Sequence, residues 1–195
     1  VGQSINSFYT YEHIIEGGVP NFSPLSPTNM YVDQNEDGFI NENDLVVNQS
    51  PAPHWILGFT GNSSYKNIDL SFTFRAMLGN YIYNNVASNN GTFQSFEGIR
   101  PSNIHTSALI TQFTSRQLMS DYYLEDGSLL RLDNISLGYN FNKLKWAKLR
   151  AYVSGQNLFI LTNYSGLDPE IQPNGIDNNL YPRPKTFIGG ISVTF

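Results

Sequence analysis

The sharpest chemical pattern in the chain is the run of twelve residues from Asp33 to Asp44, DQNEDGFINEND. Oxygen-bearing side chains at its first, third and fifth places, Asp33, Asn35 and Asp37, precede Gly38 at the sixth. This is the spacing of an EF-hand calcium loop, where hard oxygen ligands surround the ion and a glycine permits the sharp turn. Phe39 would lend its backbone carbonyl, and Asn41 would bind directly or through water. Asp44 stands where such loops carry a bidentate Glu, with a shorter reach. The pattern predicts a structural Ca2+ held by Asp33, Asn35, Asp37, Phe39, Asn41 and Asp44, pinning a long loop. The competing reading is an Asx-rich turn without an ion, since Asp, Asn and Gly are the residues turns favour.

No other set points to chemistry. His13, His54 and His105 are far apart and follow no zinc spacing. Asp121, Glu125 and Asp126 could be arranged as a carboxylate pair for glycoside hydrolysis, but Asp126-Gly127 reads as a turn. Cys is absent, which removes disulfides, thiolate metal sites and a Cys nucleophile. With no G-x-S-x-G, P-loop or dinucleotide fingerprint, no catalytic set emerges and an enzyme is not expected. Aromatic residues in the long polar segments, Tyr81, Tyr83, Phe93, Phe96, Tyr122, Tyr123 and Tyr164, can stack on sugar faces or peptide side chains. They can equally form interfacial girdles or pack loops. Tyr81, Tyr83, Phe93, Tyr122, Tyr123 and Tyr164 are the substrate-contact candidates. Arg100 and Arg131 read as lumen or loop ion-pair residues rather than substrate clamps.

The elements that would hold these residues are strands. Aromatic and charged residues each make up 14% of the 195, and mean hydropathy is -0.29. Soluble domains carry about 25% charged residues, whereas strands that alternate lipid-facing apolar and lumen-facing polar residues combine low charge with ordinary hydropathy. A soluble β-sandwich shares much of that composition. Eleven Lys+Arg against sixteen Asp+Glu give a net charge of -5, which makes nucleic acid an unlikely partner on electrostatic grounds. No apolar run reaches the roughly 20 residues of a spanning helix, and no signal peptide is recognisable at Val1-Gly2-Gln3.

Ile68, Leu70, Phe72, Phe74 and Ala76 alternate with Asp69, Ser71, Thr73 and Arg75, the period of a strand with one apolar face. Trp55, Leu57, Phe59 and Gly61 form its partner across a link at 65–67. A second hairpin joins Ile135, Leu137, Tyr139 and Phe141 to Leu149, Ala151 and Val153. The last strand places Phe187, Gly189, Ile191, Val193 and Phe195 on one face, and Ser4 to Glu12 is a further strand. That makes about six strands, each near the roughly 9–11 residues a tilted strand needs to cross a bilayer. Connections alternate between long (17–54, 79–127, 161–185) and short (65–67, 142–148), as in barrels with short periplasmic turns and long extracellular loops.

Six stretches, in order, resemble the SusC-type (RagA-like) TonB-dependent transporters of Gram-negative outer membranes: GQSINSFYTY, YVDQNEDGFINENDL, SPAPHWILGFTGNSSYKNIDLSFTFRAMLGNYIYN, YYLEDGSLLRLDNISLGYNF, LRAYVSGQNLFILTNYSGLDPE and YPRPKTFIGGISVTF. The resemblance covers nearly the whole chain. It implies an all-β fold, about six C-terminal strands of an antiparallel transmembrane barrel of roughly 22 strands, with the 33–44 loop in an extracellular segment. The plug, the TonB-contacting segment and the N-terminal barrel have no counterpart here. Six strands cannot close so large a circumference, so a fragment or one piece of a split barrel is expected. By the same resemblance, the function is TonB-dependent import of oligosaccharides or peptides, with a SusD-like surface lipoprotein, the rest of the barrel and plug, TonB and outer-membrane lipid as partners. Phe195 resembles the aromatic terminal signal read during barrel assembly. The rival expectation is a secreted β-sandwich that binds carbohydrate through calcium and aromatic residues.

Overall fold

This computed structural model describes residues 2–16, 19–21, 30–96, 103–141 and 147–194. Arg100, the Phe96 side chain and Phe195 lie outside the described residues, so the expectations placed on them are left there. In chain order the strands are β1 (Tyr9–Tyr11), β2 (Ile15–Glu16), β3 (Val19–Pro20), β4 (Leu45–Val47), β5 (Trp55–Tyr65), β6 (Ile68–Leu78), β7 (Tyr81–Tyr83), β8 (Leu124–Asp126), β9 (Leu129–Phe141), β10 (Lys148–Gln156), β11 (Ile160–Thr162) and β12 (Thr186–Thr194), with short helices α1 (Asn85–Asn90) and α2 (Ala108–Thr111). The chain divides into two compact units. One gathers 53–79, 128–163 and 182–195, the other 1–52, 80–127 and 164–181.

The first unit is one antiparallel sheet in the order β12-β10-β9-β6-β5, with β11 also on β9. Its register confirms the alternation. Phe59 faces Phe74, Gly61 faces Phe72, and Leu57 faces Ala76. On the next strand Ile68, Leu70 and Phe72 meet Tyr139, Leu137 and Ile135. Ala151 then joins Tyr139 to Ile191. These residues make one apolar face, and it is open: Phe59 is 63% exposed, Phe187 72% and Ile191 71%. In a sandwich a facing sheet would bury such a row; in a transmembrane barrel, lipid covers it.

One irregularity preserves that face. Leu130 and Leu132 sit at even positions and Ile135, Leu137 and Tyr139 at odd ones, a switch that would turn half the strand inside out. A bulge, with Thr73 opposite Asn134 and Phe74 opposite Leu132, leaves Asp133 as the extra residue and restores the alternation.

The sixth strand is not the one expected. Ser4 to Glu12 forms no barrel strand: only Tyr9–Tyr11 is extended, and it pairs with Leu45–Val47 in the other unit. Asn6, at φ 64, turns the chain just before it, so no straight run long enough to span remains. The sixth member is instead β11, which runs beside Leu129, Leu130 and Arg131 on β9.

The second unit is built from the expected long connections. They pack together with the N-terminal segment rather than standing as separate loops: Phe8 from that segment meets Tyr83, Ala87 and Tyr123 from the second connection, with Ile176 from the third against them. Tyr11, Met30, Tyr31 and Phe113 make a second cluster.

Candidate functional site

The polar face of the sheet has its own fixed chemistry. Arg75 grips Asp133, the bulged residue, with two parallel bonds of 2.9 and 3.0 Å. Asp69 accepts from Asn140 at 2.9 Å and from Arg150 at 3.1 and 2.5 Å. Asp69 is on β6 and Arg150 on β10, so the pair spans the intervening β9 and passes over Gly138. A Cβ there would lie 2.5 Å from both Arg150 Nη2 and Asp69 Oδ2. Glycine is required at that point because the ion pair occupies the space a side chain would need. The Arg150 guanidinium also lies over the Tyr152 ring, 5.1 Å from its centroid. Arg131 is buried and donates to Asn157 Oδ1.

In the loop unit, the 33–44 segment turns on hydrogen bonds among its own residues. Asp33 accepts from the amides of Asp37 (3.3 Å) and Gly38 (2.7 Å), and Gly38 takes φ 85. Asp37 accepts from the Phe39 amide at 2.8 Å and from Asn35 Nδ2 at 2.9 Å. Those two bonds hold its exposed carboxyl below the usual aspartate range. Asn41 Nδ2 reaches Asp37 and the Phe39 carbonyl, each at 3.4 Å. Asp44 is fully buried and plays a different part. Its oxygens accept from the amides of Gln34 (2.9 Å) and Asn41 (2.7 Å), closing a capping box on the turn at Glu42–Asp44. Among the described residues, no three His, Cys, Asp or Glu side chains converge as a metal cluster. The segment thus turns at Gly38, and Asp44 is engaged with backbone amides.

The aromatic candidates divide by burial. Tyr83, Tyr123 and Tyr164 are interior, at 4%, 3% and 5% exposure, whereas Tyr81, Phe93 and Tyr122 are half-buried. Tyr83 donates to Ser88 at 2.9 Å and Tyr164 to Asp177 at 2.5 Å. Burial pushes the Tyr123 phenol upward, and burial with the Asp177 carboxylate does the same for Tyr164. Rings run in series from Tyr11 to Tyr31 (5.7 Å between centroids), His13 (5.5 Å), Tyr122 (5.5 Å), Tyr123 (5.0 Å) and Tyr83 (6.1 Å). Tilted and edge-on pairs of this kind contribute about 0.5–1.5 kcal/mol each beyond burial. The series ties the first long connection to the second.

A network that nothing in the sequence signalled ties in the third. Asn84 Nδ2 donates to Glu125 at 2.8 Å and to Ser165 Oγ at 3.0 Å, and Glu125 also accepts from the Ser165 amide (2.7 Å) and hydroxyl (2.8 Å). Asp121 accepts from the His13 amide at 2.9 Å. These carboxylates thus have structural partners rather than facing one another as a hydrolytic pair.

No family model matches the chain. Along its whole length, however, it is 38% identical to the TonB-dependent receptor SusC of Bacteroides thetaiotaomicron. The chain belongs to the SusC-type TonB-dependent transporters. The TonB-dependent receptor P3 of Formosa agariphila is 30% identical, again over the whole chain. The chain spans 20% and 22% of these two relatives' lengths. Among solved structures, the RagAB peptide importer in its open-open state superposes with a TM-score of 0.76 at 22% identity, covering 97% of this chain and 22% of that one. Its closed-closed state gives 0.71 at 21%. At that identity the likeness is one of fold: an antiparallel barrel, of which a SusC-type segment of this length supplies an arc. In such a barrel the row holding Phe59, Leu137 and Ile191 meets lipid, and the face holding Asp69, Arg75, Asp133 and Arg150 lines the lumen.

Proposed function

We propose that this segment forms lumen wall and outer-loop surface of an outer-membrane importer that takes up oligosaccharides or peptides, energised through TonB and capped by a SusD-like surface lipoprotein. The observation that carries the reading is the two-faced sheet. One side is an open apolar row, and the other is a polar lining stapled by two ion pairs, which is the partition a wall between lipid and a hydrated conduit requires. Family membership supports the energy source, and the pairing of components in the name RagAB supports a second subunit. The loop unit, with its own interior, presents Tyr81, Phe93 and Tyr122 as the half-buried rings suited to solute contact, while Tyr83, Tyr123 and Tyr164 hold the unit together. The test is uptake of a fluorescent oligosaccharide and a fluorescent peptide by the native bacterium. Deleting the gene abolishes uptake of one of them, and deleting tonB does the same; uptake that persists without TonB overturns the reading.

We further propose that Ca2+ occupies the 33–44 loop as a structural pin. Support comes from the ligand types, the turn at Gly38 and the Asp33 and Asp37 geometry. Calorimetric titration of an EDTA-treated sample should show binding that Asp33→Ala and Asp37→Ala abolish. Silence from the unsubstituted protein ends the idea.

A further inference from the structure

We infer that the loop unit carries an anion-binding groove built around Arg116, which takes the carboxylate or sulfate group of an acidic solute. The inference rests on the import reading and adds the charge of what is imported. The groove has a volume of about 510 Å³ and is lined by Asn89, Thr92, Gln94 and Arg116. Its two walls are tied together by the bond from the Phe93 amide to the Phe113 carbonyl, 2.8 Å. Gln117 Nε2 donates to the Ser115 carbonyl at 2.8 Å, bracing the turn that carries Arg116.

Two observations point to an oxyanion. First, the described residues of the lining offer a guanidinium, two side-chain amides and a hydroxyl, with no carboxylate among them. Second, Arg116 has no hydrogen-bond or ion-pair partner among the described residues, whereas Arg75 and Arg150 are each committed to an aspartate. A guanidinium without a partner among the described residues, in a chain of net charge -5, is a local reversal of field. Its planar fork of donors matches two oxygens of a carboxylate or sulfate at once. Thr92 lines the same groove at 2% exposure and adds a hydroxyl to its donors. Neutral saccharide hydroxyls would be served by the amides alone. A uronate or sulfate ester on a glycan and the C-terminal carboxylate of a peptide share the oxyanion.

The experiment is calorimetry on the whole transporter in detergent at low ionic strength. The probes are trigalacturonate, a sulfated disaccharide, a tripeptide with a free C-terminus, its C-terminal amide, and maltotriose. At least one oxyanion probe should bind, and Arg116→Gln should weaken it about ten- to a hundredfold, the range of hydrogen bonds to charged groups. Arg116→Lys should restore only part of the loss, because the fork is gone, and added salt should weaken the wild type. Maltotriose should respond to neither substitution. Which oxyanion binds distinguishes an acidic glycan from a peptide, and the amidated peptide is the control for the latter. The groove is overturned if no oxyanion probe binds, or if Arg116→Gln leaves binding unchanged or weakens neutral and anionic probes alike. Persistent uptake without TonB sinks the import reading and leaves this calorimetric result standing, so the two failures are distinguishable.

Discussion

Replacing Phe59 with arginine tests what the apolar face meets. Phe59 is 63% exposed, and β5 carries Trp55 and Tyr65 on the same face at its two ends, 67% and 70% exposed. Those rings are placed as an interfacial girdle. At about 3.3 Å per residue and a tilt of about 40°, the stretch between them rises roughly 25 Å, the height of the apolar band in such barrels. Phe59 therefore sits close to the middle of the membrane. An arginine there costs about 2–4 kcal/mol, against about 0–1 kcal/mol near the interfaces. The folding equilibrium should fall by roughly thirty- to nearly a thousandfold. Losing the ring contact with Phe72, 5.9 Å away, contributes about 0.5–1.5 kcal/mol and is measured separately by Phe59→Ala. Trp55→Arg should cost far less than Phe59→Arg, and Thr60→Arg, one residue on and facing the lumen, should be close to neutral. The assay is urea-dependent folding of the whole transporter into phosphatidylcholine vesicles, read as heat-modifiable migration on gels. Equal penalties at Phe59 and Thr60, or a larger one at Trp55 than at Phe59, would refute the reasoning.

Gly138→Ala should destabilise the barrel by displacing the part-exposed Asp69–Arg150 pair. In an Asp69→Asn, Arg150→Gln background it should be neutral or stabilising, since alanine restricts the unfolded chain more than glycine; the same vesicle assay reads the cycle. Burial, opposed by the His13 amide, holds the Asp121 carboxyl above its ordinary value of 3.8. A raised folded-state pKa gives stability that is fully present below the unfolded value and lost as pH rises through the folded one. Asp121→Asn keeps an oxygen for His13 and removes the titration. Its hydrogen-exchange protection around residues 120–123 should therefore gain on the wild type as pH rises above about 4, and a difference that does not change with pH contradicts the linkage.

The sheet was legible because lipid and water impose opposite demands on alternate residues, and Ile68 to Ala76 records that demand one residue at a time. Even the bulge had a trace in sequence, the change from even to odd apolar positions between Leu132 and Ile135. Ser4 to Glu12 misled because Thr10 and Tyr11 are buried inside the loop unit, so their pattern comes from loop packing rather than from a bilayer. Contacts such as Asn84 with Glu125 and Ser165, or Asp69 with Arg150, join residues 41 to 81 positions apart. They leave no local periodicity to read. The calcium motif showed its turn in sequence, but not the capping box that engages Asp44, because Asn41 and Asp44 satisfy ligand and cap spacing together.

Nitroxide labels at Leu137 and Ile191, with Ser136 and Ser192 as their neighbours on the opposite face, test the two-faced wall most directly. In the whole transporter reconstituted in a bilayer, labels at Leu137 and Ile191 should collide with oxygen and be shielded from a water-soluble nickel chelate. Those at Ser136 and Ser192 should show the reverse. Leu137 and Ile191 labels reached by the chelate, or immobilised and inaccessible to both reagents as in a dry protein core, would contradict a barrel wall.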